Sequence, residues 1–259
     1  MAISGDAIMT ECNRTSDQRI VCWFSCGDAS AVACALALKK YPDALVVRID
    51  LSTEHPDNER FHADCERWYG KPIQKIKSTE YKDTWEVWEK RRYIAGIQGA
   101  PCTGALKKAV RYAFQRPDDL HVFGYTAEEA HRAKRFTDTN FELAMWFPLI
   151  DAQLSKSDCH AVVRAAGIEV PAMYRLGFDN NNCIGCPKGG AGYWNMIRKH
   201  FPAHFARMAE LSRRLGARLI RQDGKRIFLD ELRPETGRQK DELVIDCTPF
   251  CDAAIEEVA

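Results

Sequence analysis

Five short apolar runs, separated by longer stretches of mixed polarity, set the pattern of the chain. Arg19 to Phe24 (RIVCWF), Ala44 to Asp50 (ALVVRID), Ile73 to Lys77, Leu120 to Gly124 (LHVFG) and Trp146 to Ile150 (WFPLI) are strand-length, and most are rich in β-branched and aromatic residues. Between them Ala31 to Lys40, His55 to Tyr69 and Thr103 to Phe114 predict helices. Strands that are apolar along their length, rather than alternately, are buried on both faces. Alternation with helices then predicts an α/β fold, a parallel sheet covered by helices on both sides. Ser155 begins a further helix to about Ala166, with Asp158 placed to close a capping box.

Beyond Gly167 the pattern changes. Asn180 to Gly192 (NNNCIGCPKGGAG) is rich in turn formers, and Tyr193 to Leu215 is helical with a break at Pro202. Ala217 to Leu232 predicts a hairpin around Asp223-Gly224, a dipeptide suited to a tight two-residue turn. The expected organisation is an N-terminal extension (1–18), an α/β domain (19–166) and a C-terminal appendage (167–259) that carries a cysteine loop, a basic helix, the hairpin and a cysteine-containing tail. Tyr81, Trp85 and Trp88 fall at helical spacing and predict a core-facing stripe.

Composition narrows the function classes. The 259 residues are 46% apolar and 28% charged, enough for a full core. With 37 basic and 36 acidic side chains there is no global field to draw the chain to nucleic acid or anionic lipid. A local excess lies between Gly190 and Arg226: nine cations (Arg198, Lys199, Arg207, Arg213, Arg214, Arg218, Arg221, Lys225, Arg226) against Glu210 and Asp223. Such a patch either steers a polyanion such as tRNA or DNA or is a solvated face. No apolar run approaches the roughly 18 residues of a membrane span, and Met1 to Gln18 lacks the basic start and apolar stretch of an export signal. A cytoplasmic, reducing setting is therefore expected. There, eleven cysteines imply metal binding, catalysis or burial rather than a disulfide framework.

Two constellations carry candidate chemistry. Ser25-Cys26-Gly27-Asp28-Ala29-Ser30 lies at the carboxyl end of the first strand and the start of a helix, where backbone N–H groups and the helix dipole converge on an anion. The alternative is a tight turn with serine as helix cap. Cys183-Ile184-Gly185-Cys186 has the spacing at which two thiolates reach one metal centre. Cys102, at a helix start, has a thiolate favoured by the helix dipole. Zinc suits such a set as well as iron and sulfide do, although a zinc ribbon wants two such pairs; a redox dithiol is the weaker alternative. Cys22, Cys34 and Cys65 sit in apolar or helical runs and are expected in the core, whereas Cys12 and Cys159 follow no pattern.

The serine loop, the segment Ile49 to Asp57 (IDLSTEHPD) and Cys102 to Lys108 (CTGALKK) together resemble the phosphoadenosine phosphosulfate (PAPS) reductase family of the PP-loop superfamily, over roughly Arg19 to Leu215. The resemblance implies a Rossmann-like sheet and an adenine nucleotide as ligand or substrate: ATP, adenylyl sulfate or PAPS. It assigns nucleotide contacts to Ser25, Cys26, Gly27, Asp28, Ser30, Asp50, Leu51, Ser52, Gly124, Tyr125, Thr126, Glu128, Arg132, Arg135 and Lys188. It also implies a 4Fe-4S cluster on Cys102, Cys183 and Cys186. Where the cluster reductases have an adjacent cysteine pair, Cys102 stands alone beside Pro101, so the fourth ligand is Cys247 or Cys251 of the tail or the fourth iron stays open to a substrate sulfur. A tail cysteine is alternatively the catalytic nucleophile. The loop departs from the superfamily pattern Ser-Gly-Gly-x-Asp-Ser: Cys26 replaces the first glycine and Ala29 the aspartate. That favours nucleotide binding over ATP cleavage. Three activities follow: sulfonucleotide reduction with a thioredoxin-like reductant, cluster-dependent thiolation of tRNA or DNA, and nucleotide sensing without turnover. A homodimer is compatible with each.

Overall fold

The computed structural model describes residues 18–96 and 99–237. Its centre is a five-stranded, wholly parallel sheet of β1 (Ile20–Trp23), β2 (Leu45–Ile49), β3 (Ile73–Ile76), β4 (Leu120–Val122) and β5 (Ala144–Trp146), in the order β3-β2-β1-β4-β5. The α/β class read from the apolar runs is the fold observed. Ten α-helices are described: α1 (Asp28–Lys40), α2 (Asn58–Tyr69), α3 (Thr84–Arg91), α4 (Ala109–Phe114), α5 (Ala130–Thr139), α6 (Pro148–Asp151), α7 (Lys156–Ala165), α8 (Ala172–Arg175), α9 (Ala191–His200) and α10 (Pro202–Arg214).

Side chains of β1 alternate between two cores, which is why the strand is apolar throughout. Ile20 and Cys22 face α1, α2 and α7, packing with Phe61, Cys65 and Val163. Val21 and Trp23 face Val87, Leu106, Val110 and Phe136 on the other side. Cys22, Cys34 and Cys65 are buried in the first of these cores, as their apolar surroundings predicted. A third cluster, around Tyr193, Trp194 and Met208, lies C-terminal to the sheet and takes in Trp85 and Trp88 of α3. Burying each of these aromatic side chains contributes roughly 2–3 kcal/mol.

Three boundaries differ from the sequence reading. The fifth strand stops at Trp146, and Pro148 opens the short α6, because a residue without an N–H suits the first turn of a helix and not the middle of a sheet. Tyr81 lies before α3, since the Asp83 side chain accepts from Glu86 N at 2.8 Å and starts the helix at Thr84; only Trp85 and Trp88 form the buried stripe. The helix predicted from His55 begins at Asn58, after Pro56 and Asp57.

Elsewhere local signals decide the geometry. Ser155 and Asp158 form the anticipated capping box of α7. The hairpin β6 (Ile220–Gln222) and β7 (Lys225–Ile227) turns through Asp223 and Gly224, both in the left-handed region (φ 51° and 77°). No described helix is long and apolar enough to cross a membrane. Much of the basic region serves the fold: Arg213 pairs with Asp230 and Glu231, Arg214 with Glu89, and Arg207 lies over the Trp85 ring.

Candidate functional site

In this strand order β1 and β4 are neighbours, yet the chain leaves them toward opposite edges of the sheet. Such a reversal opens a crevice at the carboxyl ends of the two strands. The loops after both strands meet there and line a cleft of about 400 Å³, within the range of small-molecule sites.

The loop after β1 is held from within. Ser25 N and Ser25 Oγ both donate to Ser30 Oγ at 3.1 Å, and Ser30 Oγ donates to Gly27 O at 2.8 Å. Gly27 caps α1 with no side-chain bond, so the first-turn amides of Ala29 and Ser30, both lining the cleft, remain available to a ligand. Serine thus braces the loop rather than capping the helix. Cys26 takes the left-handed conformation (φ 58°) at the position where the superfamily pattern has glycine. Its thiol is wholly buried, 3.8 Å from Asn58 O and away from the cleft lining, and burial drives its pKa well above the usual thiol range. Opposite, a Cβ on Gly124 would lie 2.7 Å from the Ser30 backbone, which explains glycine at the end of β4.

Of the residues expected at the nucleotide, Ser25, Gly27, Ser30, Gly124, Tyr125, Thr126, Glu128 and Arg132 line the cleft. Arg132 is held by Glu129, whose carboxylate also caps Thr126. The others lie elsewhere. Asp28 is buried against His160 Nδ1 of α7. Asp50 pairs with Arg48 at 3.3 Å, and Ser52 Oγ donates to Lys82 O at 3.3 Å. Leu51 lines a second cavity, while Arg135, exposed on α5, and Lys188 line neither.

The cleft also gathers Glu54, Lys107, Lys156, Tyr174 and Asn180 to Asn182, to which the sequence assigned no contact. Glu54 is positioned by buried Arg48 at 3.6 Å; burial raises its carboxyl pKa, against the opposing pull of Lys107 and Arg48. Asn181 Nδ2 donates to Cys26 O at 2.6 Å and to Asn58 Oδ1 at 2.8 Å, tying the asparagine run to the serine loop. The only signal for this in the sequence was the triple asparagine itself.

That run leads directly into the cysteine loop. Cys183 and Cys186 share with Cys102 one small cavity of about 20 Å³, floored by Leu51, Trp88 and Leu106. Tyr193 fixes the turn by accepting from Cys186 N and donating to Cys183 O, each at 2.8 Å, and Gly185 turns at φ 78°. Among the described residues, no three His, Cys, Asp or Glu side chains are set closely enough to hold a metal ion as they stand. By donor chemistry, three thiols converging on one cavity fit a soft metal or an iron-sulfur cluster. Cys247 and Cys251 lie outside the described residues. Lys107 lines both the cleft and the cysteine cavity.

The model of the phosphoadenosine phosphosulfate reductase domain matches residues 19–189, from the first strand through the cysteine loop, about two thirds of the chain. No protein with a curated description matches it. The chain therefore belongs to the phosphoadenosine phosphosulfate reductase domain family.

Proposed function

We propose that this chain is an adenine-nucleotide-binding iron-sulfur enzyme of sulfur chemistry, and that its reaction is sulfonucleotide reduction. The supporting observation is the juxtaposition of two sites: Asn180 to Asn182 line the cleft, Cys183 and Cys186 line the cysteine cavity, and Lys107 lines both. The 5′ anionic group of the nucleotide sits at the α1 N-terminus, on the amides of Ala29 and Ser30. Lys107 is placed to balance negative charge as the nucleotide leaves.

In the step proposed, a cysteine thiolate attacks the sulfur of adenylyl sulfate or PAPS. A sulfur–sulfur bond forms, the sulfur–oxygen bond to the nucleotide breaks, and the 5′-phosphate departs with that electron pair. A thioredoxin-like dithiol then supplies two electrons, releasing sulfite and restoring the thiol. Cys247 and Cys251 are the proposed nucleophiles. Cys102, Cys183 and Cys186 would hold the cluster, with one tail cysteine as the fourth ligand. Bound there, the cluster would supply a polarisable iron-sulfide centre beside the nucleotide and tie the cysteine loop to Cys102.

The test is sulfite release from each sulfonucleotide by anaerobically purified protein with thioredoxin and its reductase. Sulfite above the no-enzyme control is the expected result; none from either substrate overturns reduction. Pyrophosphate or AMP release from ATP with tRNA or DNA would instead mark a thiolating enzyme.

A further inference from the structure

Tyr174 stands where a ligand anion would arrive. Its helix, α8, is a single turn pinned from α2: Ala172 N donates to Asp57 Oδ2 at 2.8 Å, and Arg60 donates to the carbonyls of Glu169 and Val170 at 3.0 and 3.3 Å. The ring is clamped as well. His160 meets it edge-on at 4.8 Å, and Lys156 Nζ lies 5.6 Å from its centre. The hydroxyl is thereby delivered to the serine loop, 3.1 Å from where a Gly27 Cβ would be. A side chain at 27 would crowd the hydroxyl by a few tenths of an ångström.

The backbone amides of Asp28 and Asn181 lie beside the hydroxyl oxygen. Burial and nearby Asp28 raise its pKa, so the group stays a protonated donor at any physiological pH. The side chain lines the cleft. It is only partly buried and opens on that cleft, so the hydroxyl hydrogen can turn to an oxygen of a bound ligand.

We infer that Tyr174 is a ligand-contacting residue whose hydroxyl donates to an oxygen of the nucleotide's 5′ anionic group, completing the cradle formed by the Ala29 and Ser30 amides. This inference rests on the adenine-nucleotide reading of the cleft. Two other loop donors are already engaged: Ser25 N by Ser30 Oγ, and Ser30 Oγ by Gly27 O. The phenol is thus the principal side-chain donor at the loop itself.

The experiment is calorimetric titration of the full chain with AMP and with adenosine, for wild type and Tyr174→Phe. Phenylalanine keeps the ring and its clamp, and adenosine lacks the anionic group. AMP affinity should fall about tenfold or more, the effect of losing a hydrogen bond to a charged group, while adenosine affinity stays unchanged. In wild-type protein labelled at the tyrosine ζ carbon, AMP should also shift one NMR signal, absent from the variant, that adenosine leaves in place. Unchanged AMP affinity in Tyr174→Phe, equal losses for both ligands, or an unmoved ζ-carbon signal would overturn the inference. Wild-type protein that binds neither ligand would overturn the nucleotide reading itself.

Discussion

Gly124→Ala tests the reversal point of the sheet with one methyl group. The added Cβ would lie 2.7 Å from both Cα and N of Ser30 and 2.9 Å from the carbonyl carbon of Ala29, where ordinary contacts begin at 3.4 Å. All three neighbours are backbone, so no rotamer change relieves the overlap. The end of β4 and the first turn of α1 must separate by about 0.7 Å, the difference between the 2.7 and 3.4 Å distances. Overpacking of this kind costs about 1–3 kcal/mol, or roughly 2–12 °C in melting temperature for a chain of this size. The moving atoms belong to the residues whose amides face the cleft, so AMP affinity should fall at least tenfold along with stability. Thermal melting by circular dichroism and calorimetric AMP titration read both effects. Gly104→Ala is the control: its added Cβ meets nothing within 4 Å, in a helical turn where alanine is favoured, so it should be neutral or slightly stabilising. A Gly124→Ala protein that melts and binds AMP like wild type would refute the placement of the anion site between these two loops.

Other outcomes follow from the same geometry. Arg132 is held by Glu129, and Lys156 by Asp179 O and Asn180 Oδ1, so a second phosphate would have to compete with these partners. Adenosine 3′,5′-bisphosphate should accordingly bind no more tightly than AMP in a calorimetric competition, and tenfold tighter binding would contradict this. Burial holds His121 down to about 4, whereas the unfolded chain takes up that proton near 6.5. Its folded-state pKa is depressed, so its contribution is full above pH 6.5 and is lost as pH falls toward 4. Urea midpoints of His121→Gln should decline less over that interval than those of wild type; equal declines would count against it. Cys26, buried with a raised pKa, should resist alkylation in the native protein and react after unfolding, as mass spectrometry of tryptic peptides would show.

What the sequence made legible was what depends on neighbouring residues. Two-sided burial produced the apolar runs of β1, β2 and β4, and Ser155 with Asp158 announced α7 three residues apart. Pro148 was visible, but its effect was overridden by the apolar residues around it, which misplaced the end of β5. The site was legible only in part because its remaining members come from distant segments. Asp28 meets His160 across 132 positions, and Asn181 reaches Cys26 across 155. Tyr174, in a one-turn helix without periodicity, becomes a cleft residue only because α2 pins that turn in place. A serine cap was one reading of the loop, and Ser30 is instead a brace, a distinction made by backbone angles at Gly27 that no spacing encodes.

The cysteine cavity is where the account is most directly exposed. Protein purified without oxygen should be analysed for iron, zinc and acid-labile sulfide, in wild type and in Cys183→Ser. About four iron and four sulfide per wild-type chain, the content of a 4Fe-4S cluster, are expected, with both lost in the variant. Colourless protein carrying zinc, or iron content unaffected by Cys183→Ser, would contradict this.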